Sequence, residues 1–242
     1  SPVVAYADKA TNSLKFARLS NGKWKTTFIK KSATAGAISI CTSGVGAKAQ
    51  LHVFYADLLS KDLKYAQLLN NKWSFATIDG DGESVQDYRE EVRRKTAADV
   101  SVSNACAVTT SGLQVFYRDE TQGILLGASK TVTGWVYEIV DGDAKTSGRT
   151  TGDVAYHLSA AALGKTIYLL YDSVLNFNSS RSPIAGEVRL ATRNSLYPED
   201  WRYQTLDGPD NNVAVAGYTT ALSVTNKSVA AAWLSANGNS LP

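Results

Sequence analysis

Apolar positions along this chain fall in short β-branched and aromatic runs, or alternate strictly with polar ones, and no stretch holds a helical period. Val3-Val-Ala-Tyr-Ala-Asp8, Leu51-His-Val-Phe-Tyr-Ala-Asp57 and Leu113-Gln-Val-Phe-Tyr-Arg-Asp119 are runs of the first kind, each followed by turn residues. Alternating stretches come next, as in Leu14-Lys-Phe-Ala-Arg18 and Leu63-Lys-Tyr-Ala-Gln67. Ser20-Asn-Gly-Lys23 and Leu69-Asn-Asn-Lys72 then supply residues that tolerate positive φ, which predicts tight hairpins into a strand opened by Trp24 or Trp73. A fourth kind of strand is built from small residues: Ile38–Thr42, Ala105–Thr109, Leu158–Ala162 and Thr220–Val224. Small side chains suit a strand packed at a crowded axis.

These elements recur in fixed phase. Tyr6, Ala17 and Trp24 return as Tyr55, Ala66 and Trp73 and as Tyr117, Ala128 and Trp135, always at offsets of 11 and 7 residues. With an insertion they return again as Tyr171, Ala191 and Trp201, and a cut-off copy begins at Trp233. Repeats of about 50 to 60 residues, each holding four strands, predict one all-β domain over residues 1–242: a β-propeller of five blades. A four-bladed ring with a strand left over and a fragment of a six-bladed propeller satisfy the same arithmetic. An immunoglobulin-like array does not, because its domains need about 100 residues each.

Composition narrows the classes. The chain has 242 residues, 44% of them hydrophobic, and a formal net charge of +3, with its basic residues scattered. That charge implies no nucleic-acid partner, and no apolar run approaches the roughly 20 residues that cross a bilayer as a helix. Met is absent even at position 1, which predicts a processed, secreted chain. Two sequons, Asn178-Ser-Ser180 and Asn226-Lys-Ser228, fit that location. Cys41 and Cys106 fall at corresponding places in successive small-residue strands, where a disulfide and two buried thiols are both compatible with the pattern. With only His52 and His157 beside them there is no metal-site spacing, and no cofactor is expected.

Catalytic signatures are mostly missing, although a carboxylate pair for glycoside hydrolysis could come from different blades. No nucleophile elbow, zinc-protease motif or phosphate-binding glycine loop occurs, and Asn-Gly-Lys-Trp24 lacks the Asp of the sialidase box. Asp8, Asp57, Asp119 and Asp172 end each Tyr strand and read as turn caps. One Trp per repeat at a fixed place reads as core between blades.

The small-residue strand, an apolar strand such as Leu113–Asp119, an alternating strand and a Gly134-Trp135 hairpin together resemble the fungal fucose-binding lectin family. That resemblance implies a lectin-like propeller with sugar sites between blades, each using an Arg in the second strand and a carboxylate or Gln twelve residues on. Here the Arg place is held by Val3, His52, Gln114 and Tyr168, and the carboxylate place by Lys15, Lys64, Leu126 and Arg189. The fucose-gripping pair is therefore not retained.

Three functions compete: a lectin-like binder of a glycan or other small hydroxylated ligand, a propeller cyclase acting by shape and orientation, and a protein-interaction propeller. The oligomeric state is left open. Two insertions, Asp81 to Asp99 and Ser173 to Gly186, break the repeat and argue for one principal pocket. Its expected walls are Tyr88, Tyr156, His157, Phe177 and Arg181, with Trp135 as a cleft-lining aromatic.

Overall fold

The computed structural model describes residues 1–85, 95–145, 148–194, 200–209 and 214–236. Seventeen strands make up the fold of these residues, which hold a 3₁₀ turn at Gly46–Lys48 and no α-helix. The first sheet has three strands, β1 (Val3–Asp8), β2 (Ser13–Ser20) and β3 (Lys23–Lys30). Two four-stranded antiparallel meanders follow: β4 (Ala35–Ser43), β5 (Gln50–Asp57), β6 (Asp62–Leu69), β7 (Lys72–Asp79), then β8 (Asn104–Thr109), β9 (Gly112–Asp119), β10 (Ile124–Thr131), β11 (Gly134–Asp141). A fourth meander runs β12 (Val154–Leu163), β13 (Thr166–Phe177), β14 (Pro183–Arg193), β15 (Arg202–Asp207). The hairpin of β16 (Val215–Val224) and β17 (Val229–Ala236) joins it through one parallel pairing, Gly186 with Val215. The small-residue strands β4, β8, β12 and β16 stand side by side in that order.

Local chemistry sets the hairpins. Asn21 and Gly22 (φ 50° and 72°) and Asn70 and Asn71 (φ 51° and 60°) occupy the left-handed region at both central positions, as two-residue hairpin turns require. The pairings Ser20–Lys23 and Leu69–Lys72 close them.

The second, third and fourth sheets each pack their Trp against the sheet before it, whereas Trp24 of the first sheet, with no sheet before it, is 53% exposed and departs from the expected inter-blade core. Trp73 meets Phe16 edge-on at 6.1 Å, Trp135 meets Phe54 at 5.9 Å, and Trp201 meets Phe116 at 5.8 Å. In the last three repeats the residue at the Tyr place is tied back in the same sense. Tyr117 Oη donates to Asp79 Oδ2 at 2.6 Å, Tyr171 Oη to Asp141 Oδ2 at 2.7 Å, and Trp233, standing in the Tyr place, donates its Nε1–H to Asp207 Oδ2 at 3.0 Å. These aspartates all lie six residues after a Trp, where the first sheet has Lys30. Their other oxygens accept Gly80 N–H, Gly142 N–H and Gly208 N–H, so one carboxylate fixes both a turn and the neighbouring sheet. Cys41 and Cys106 are joined in a disulfide between β4 and β8, with Cα atoms 6.1 Å apart.

His52 sits in this framework as a buried neutral group. Its ring nitrogens meet Ser43 Oγ and Tyr65 Oη at 2.7 Å, and burial, with a smaller contribution from Lys130, lowers its pKa from 6.5 to about 4. Between those values the unfolded chain binds a proton that the folded chain refuses. Stability should therefore be complete above pH 6.5 and fall by about 1.4 kcal/mol per unit on acidification, to a loss of about 3 kcal/mol near pH 4. Urea unfolding of wild type and His52→Gln between pH 7 and 5 checks this: equal slopes for the two proteins would contradict it.

Candidate functional site

The fourth sheet departs from the repeat where β13 runs on. Its equivalents stop at Asp8, Asp57 and Asp119, whose Oδ1 atoms accept turn N–H groups from Ala10, Leu59 and Gln122. β13 instead continues to Phe177, so no turn follows Asp172 and its carboxylate is released for other use.

Two bulged strands take up that freedom. In β12 the pairing passes from Val154–Ser173 directly to Leu158–Tyr171, and in β16 from Ala216–Ser235 to Thr220–Trp233. Bulges of this kind re-aim side chains. Asp153 and Ala155 take left-handed φ values of 51° and 63°, and Gly217 one of 91°. A Cβ on Gly217 would lie 2.8 Å from Asp172 Cβ, so only glycine allows that approach.

The result is a cavity of about 240 Å³ lined by Tyr156, His157, Asp172, Phe177, Arg181 and Tyr218, with Val174, Pro183, Val215 and Ala216 as its apolar floor. Asp172 is buried, accepts the His157 backbone N–H at 2.7 Å, and faces His157 Nδ1 at 3.3 Å. The His157 and Tyr218 rings lie 6.4 Å apart. Tyr156 is backed by Arg118, whose guanidinium sits 3.6 Å from the ring centroid and donates to Val154 O and Asp153 Oδ1. Arg181 stands on an exposed turn with φ 61°, held by Asn178, whose side chain accepts N–H bonds from Ser180 and Ser182. Burial raises the pKa of Tyr156 and of Tyr218, in the latter helped by the charge of Asp172.

Tyr218 carries the most informative atom. Its hydroxyl is buried and has no hydrogen-bond partner among the described residues. Such an atom costs the folded state on the order of 1–3 kcal/mol unless something satisfies it.

Four expected residues, Tyr156, His157, Phe177 and Arg181, thus line one cavity. Trp135 stands elsewhere, edge-on to Phe54 and Tyr65 between the second and third sheets, and Tyr88 lies outside the described residues. Asn178 and Asn226 are both exposed in turns. Sequence reasoning missed Asp172 as a lining group and missed Tyr218 altogether. The signal for Asp172 was the insertion that begins one residue after it. Among the described residues no three His, Cys, Asp or Glu side chains cluster as metal ligands, and no helix is long and apolar enough to cross a membrane.

No family model matches the chain, and no curated protein matches it either. Solved structures do. The six-bladed β-propeller lectin of Aleuria aurantia, described by its fucose recognition, superposes with a TM-score of 0.58 at 12% identity, covering 95% of this chain and 66% of the lectin. AofleA from Arthrobotrys oligospora gives 0.54 at 10% identity, covering 84% of this chain and 52% of its own. The chain spans about half to two thirds of the length of these neighbours, and at such identities the likeness shows the fold alone. The neighbours are fungal fucose-binding lectins with a β-propeller fold, the group that the sequence pattern resembles.

Proposed function

We propose that this chain is a single-domain, five-bladed, lectin-like propeller, secreted, that holds one terminal sugar or similar small hydroxylated unit in the cavity between β12, β13 and β16. The unpartnered hydroxyl of Tyr218 carries the reading, because it shares a cavity with the Asp172 carboxylate and with Arg181, which has no ion-pair partner among the described residues. A sugar supplies what this set lacks. One ring hydroxyl donates to Asp172, which has lone pairs beyond those used by His157. Another accepts from Tyr218 or Arg181, and the apolar face of the ring lies on Tyr156 or Phe177.

The disulfide and the two exposed sequons support an oxidising, extracellular location. Fucose specificity does not come over from the neighbours, because His52, Gln114 and their equivalents stand where the resemblance puts the Arg.

Glycan-array screening followed by calorimetry tests this. Tyr218→Phe should weaken the selected glycan about tenfold, or about 1.4 kcal/mol, while leaving the melting temperature unchanged or raised. Arg181→Ala should weaken it without touching the fold, since the side chain is exposed. A glycan bound by both variants as tightly as by wild type would place the site elsewhere.

A further inference from the structure

A second site emerges from comparing two equivalent interfaces within the chain. Between the third and fourth sheets, Arg193 on β14 pairs with Glu138 on β11 and donates to Gln114 on β9 at 2.7 Å, so its charge is answered inside the protein. Between the second and third sheets the same places hold Lys130, Ala76 and His52. Arg193 and Lys130 both follow the repeat Ala by two, Glu138 and Ala76 both follow the repeat Trp by three, and Gln114 and His52 both precede the repeat Tyr by three.

The reason for the change lies one strand away. Glu138 faces Gly127 across its hairpin, whereas Ala76 faces Tyr65. A Cβ on Gly127 would come within 2.9 Å of Glu138 Cγ, so the glycine leaves room for the acid. In the second sheet the Tyr65 ring takes that room, and the acid is gone while the cation remains.

Lys130 is left half-buried, with Nζ 3.4 Å from Tyr65 Oη and 3.3 Å from Gln67 Oε1, and with no carboxylate at ion-pair distance among the described residues. It opens onto a cleft of about 680 Å³ whose lining includes Ser43, Gln50, Thr110, Ser111 and Ser129 and contains no acidic residue. His52 on the same wall is held neutral by burial and adds no competing charge. Burial also lowers the pKa of Lys130, the expected state of a cation short of a counter-charge.

We propose that this cleft binds an oxyanion, a carboxylate or sulfate group on a small hydroxylated molecule, with Lys130 as its counter-charge and the serine and threonine hydroxyls of the rim as donors. The site is independent of the cavity at Tyr218.

Calorimetric titration of the intact protein at neutral pH and low salt tests it, with methyl glucuronide and inorganic sulfate as probes and methyl glucoside as the neutral control. Saturable binding of at least one anion is expected, with the glucoside silent in this cleft. Binding of the glucuronide alone assigns a carboxylate, and binding of sulfate alone assigns a sulfate group. Lys130→Gln should lose at least tenfold in affinity. Gln67→Glu, which gives Lys130 an internal carboxylate at nearly the same volume and takes an N–H from the turned Gln50 amide in place of the bond Gln67 Nε2 donates to Gln50 Oε1 at 2.6 Å, should do the same. Failure of both anions to bind, or anion affinity unchanged in both variants, would overturn the proposal.

Discussion

Glu138→Ala is expected to lower the free energy of unfolding by about 3–5 kcal/mol, because it strands a buried cation. Glu138 and Arg193 are 6% and 2% exposed, and the Arg193 guanidinium stands over Trp201, 4.4 Å from the ring centroid. Glu138 Oε2 also accepts Trp201 Nε1–H at 3.1 Å. Removing the acid leaves Arg193 with Gln114 as its remaining side-chain acceptor among these groups and takes away the indole's partner as well. The double variant Glu138→Leu with Arg193→Leu should recover much of the loss, since it removes both charges together. Urea unfolding measures all three proteins, and a cost below about 1 kcal/mol for Glu138→Ala would mean that water reaches the pair.

Removing the Cys41–Cys106 bond should cost about 4 kcal/mol, the loop-closure entropy of a cross-link between positions 65 residues apart. For a chain of this size that corresponds to a fall in melting temperature on the order of 10 °C. The bond clamps the inner strands of two successive sheets, so its loss should loosen β4 and β8 before the Trp-lined cores. Thermal melts of wild type and the Cys41→Ser, Cys106→Ser double variant decide it. A melting temperature within about 2 °C of wild type would show that the sheet contacts alone hold these strands.

The strands were readable in the sequence because each obeys a local rule. Asn-Gly and Asn-Asn fix hairpins, alternation fixes faces, and Trp, Tyr and Ala recur at constant phase because each fills the same place in successive sheets. Inter-sheet chemistry was less visible. The three aspartates that lie six residues after Trp73, Trp135 and Trp201 read as Asp-Gly turns, yet all three also accept a hydrogen bond from the next sheet, a role that depends on which sheets are neighbours. Glu138 and Arg193 meet across 55 residues for the same reason. At the candidate site, the insertion pointed to Tyr156, His157, Phe177 and Arg181, since a loop that breaks a repeat is free to build a wall. Asp172 was hidden by its likeness to three true turn caps. Tyr218 was hidden because the bulge that aims it follows from strand register, which no short motif encodes.

The most direct test of the central claim is a crystal structure of the protein with the strongest glycan from an array screen. The account predicts one sugar ring in the cavity between β12, β13 and β16, with a hydroxyl on Asp172 and Tyr218 Oη satisfied by the ligand. A ring bound in another cleft with Tyr218 still unpartnered, or an array without any binder, would contradict it.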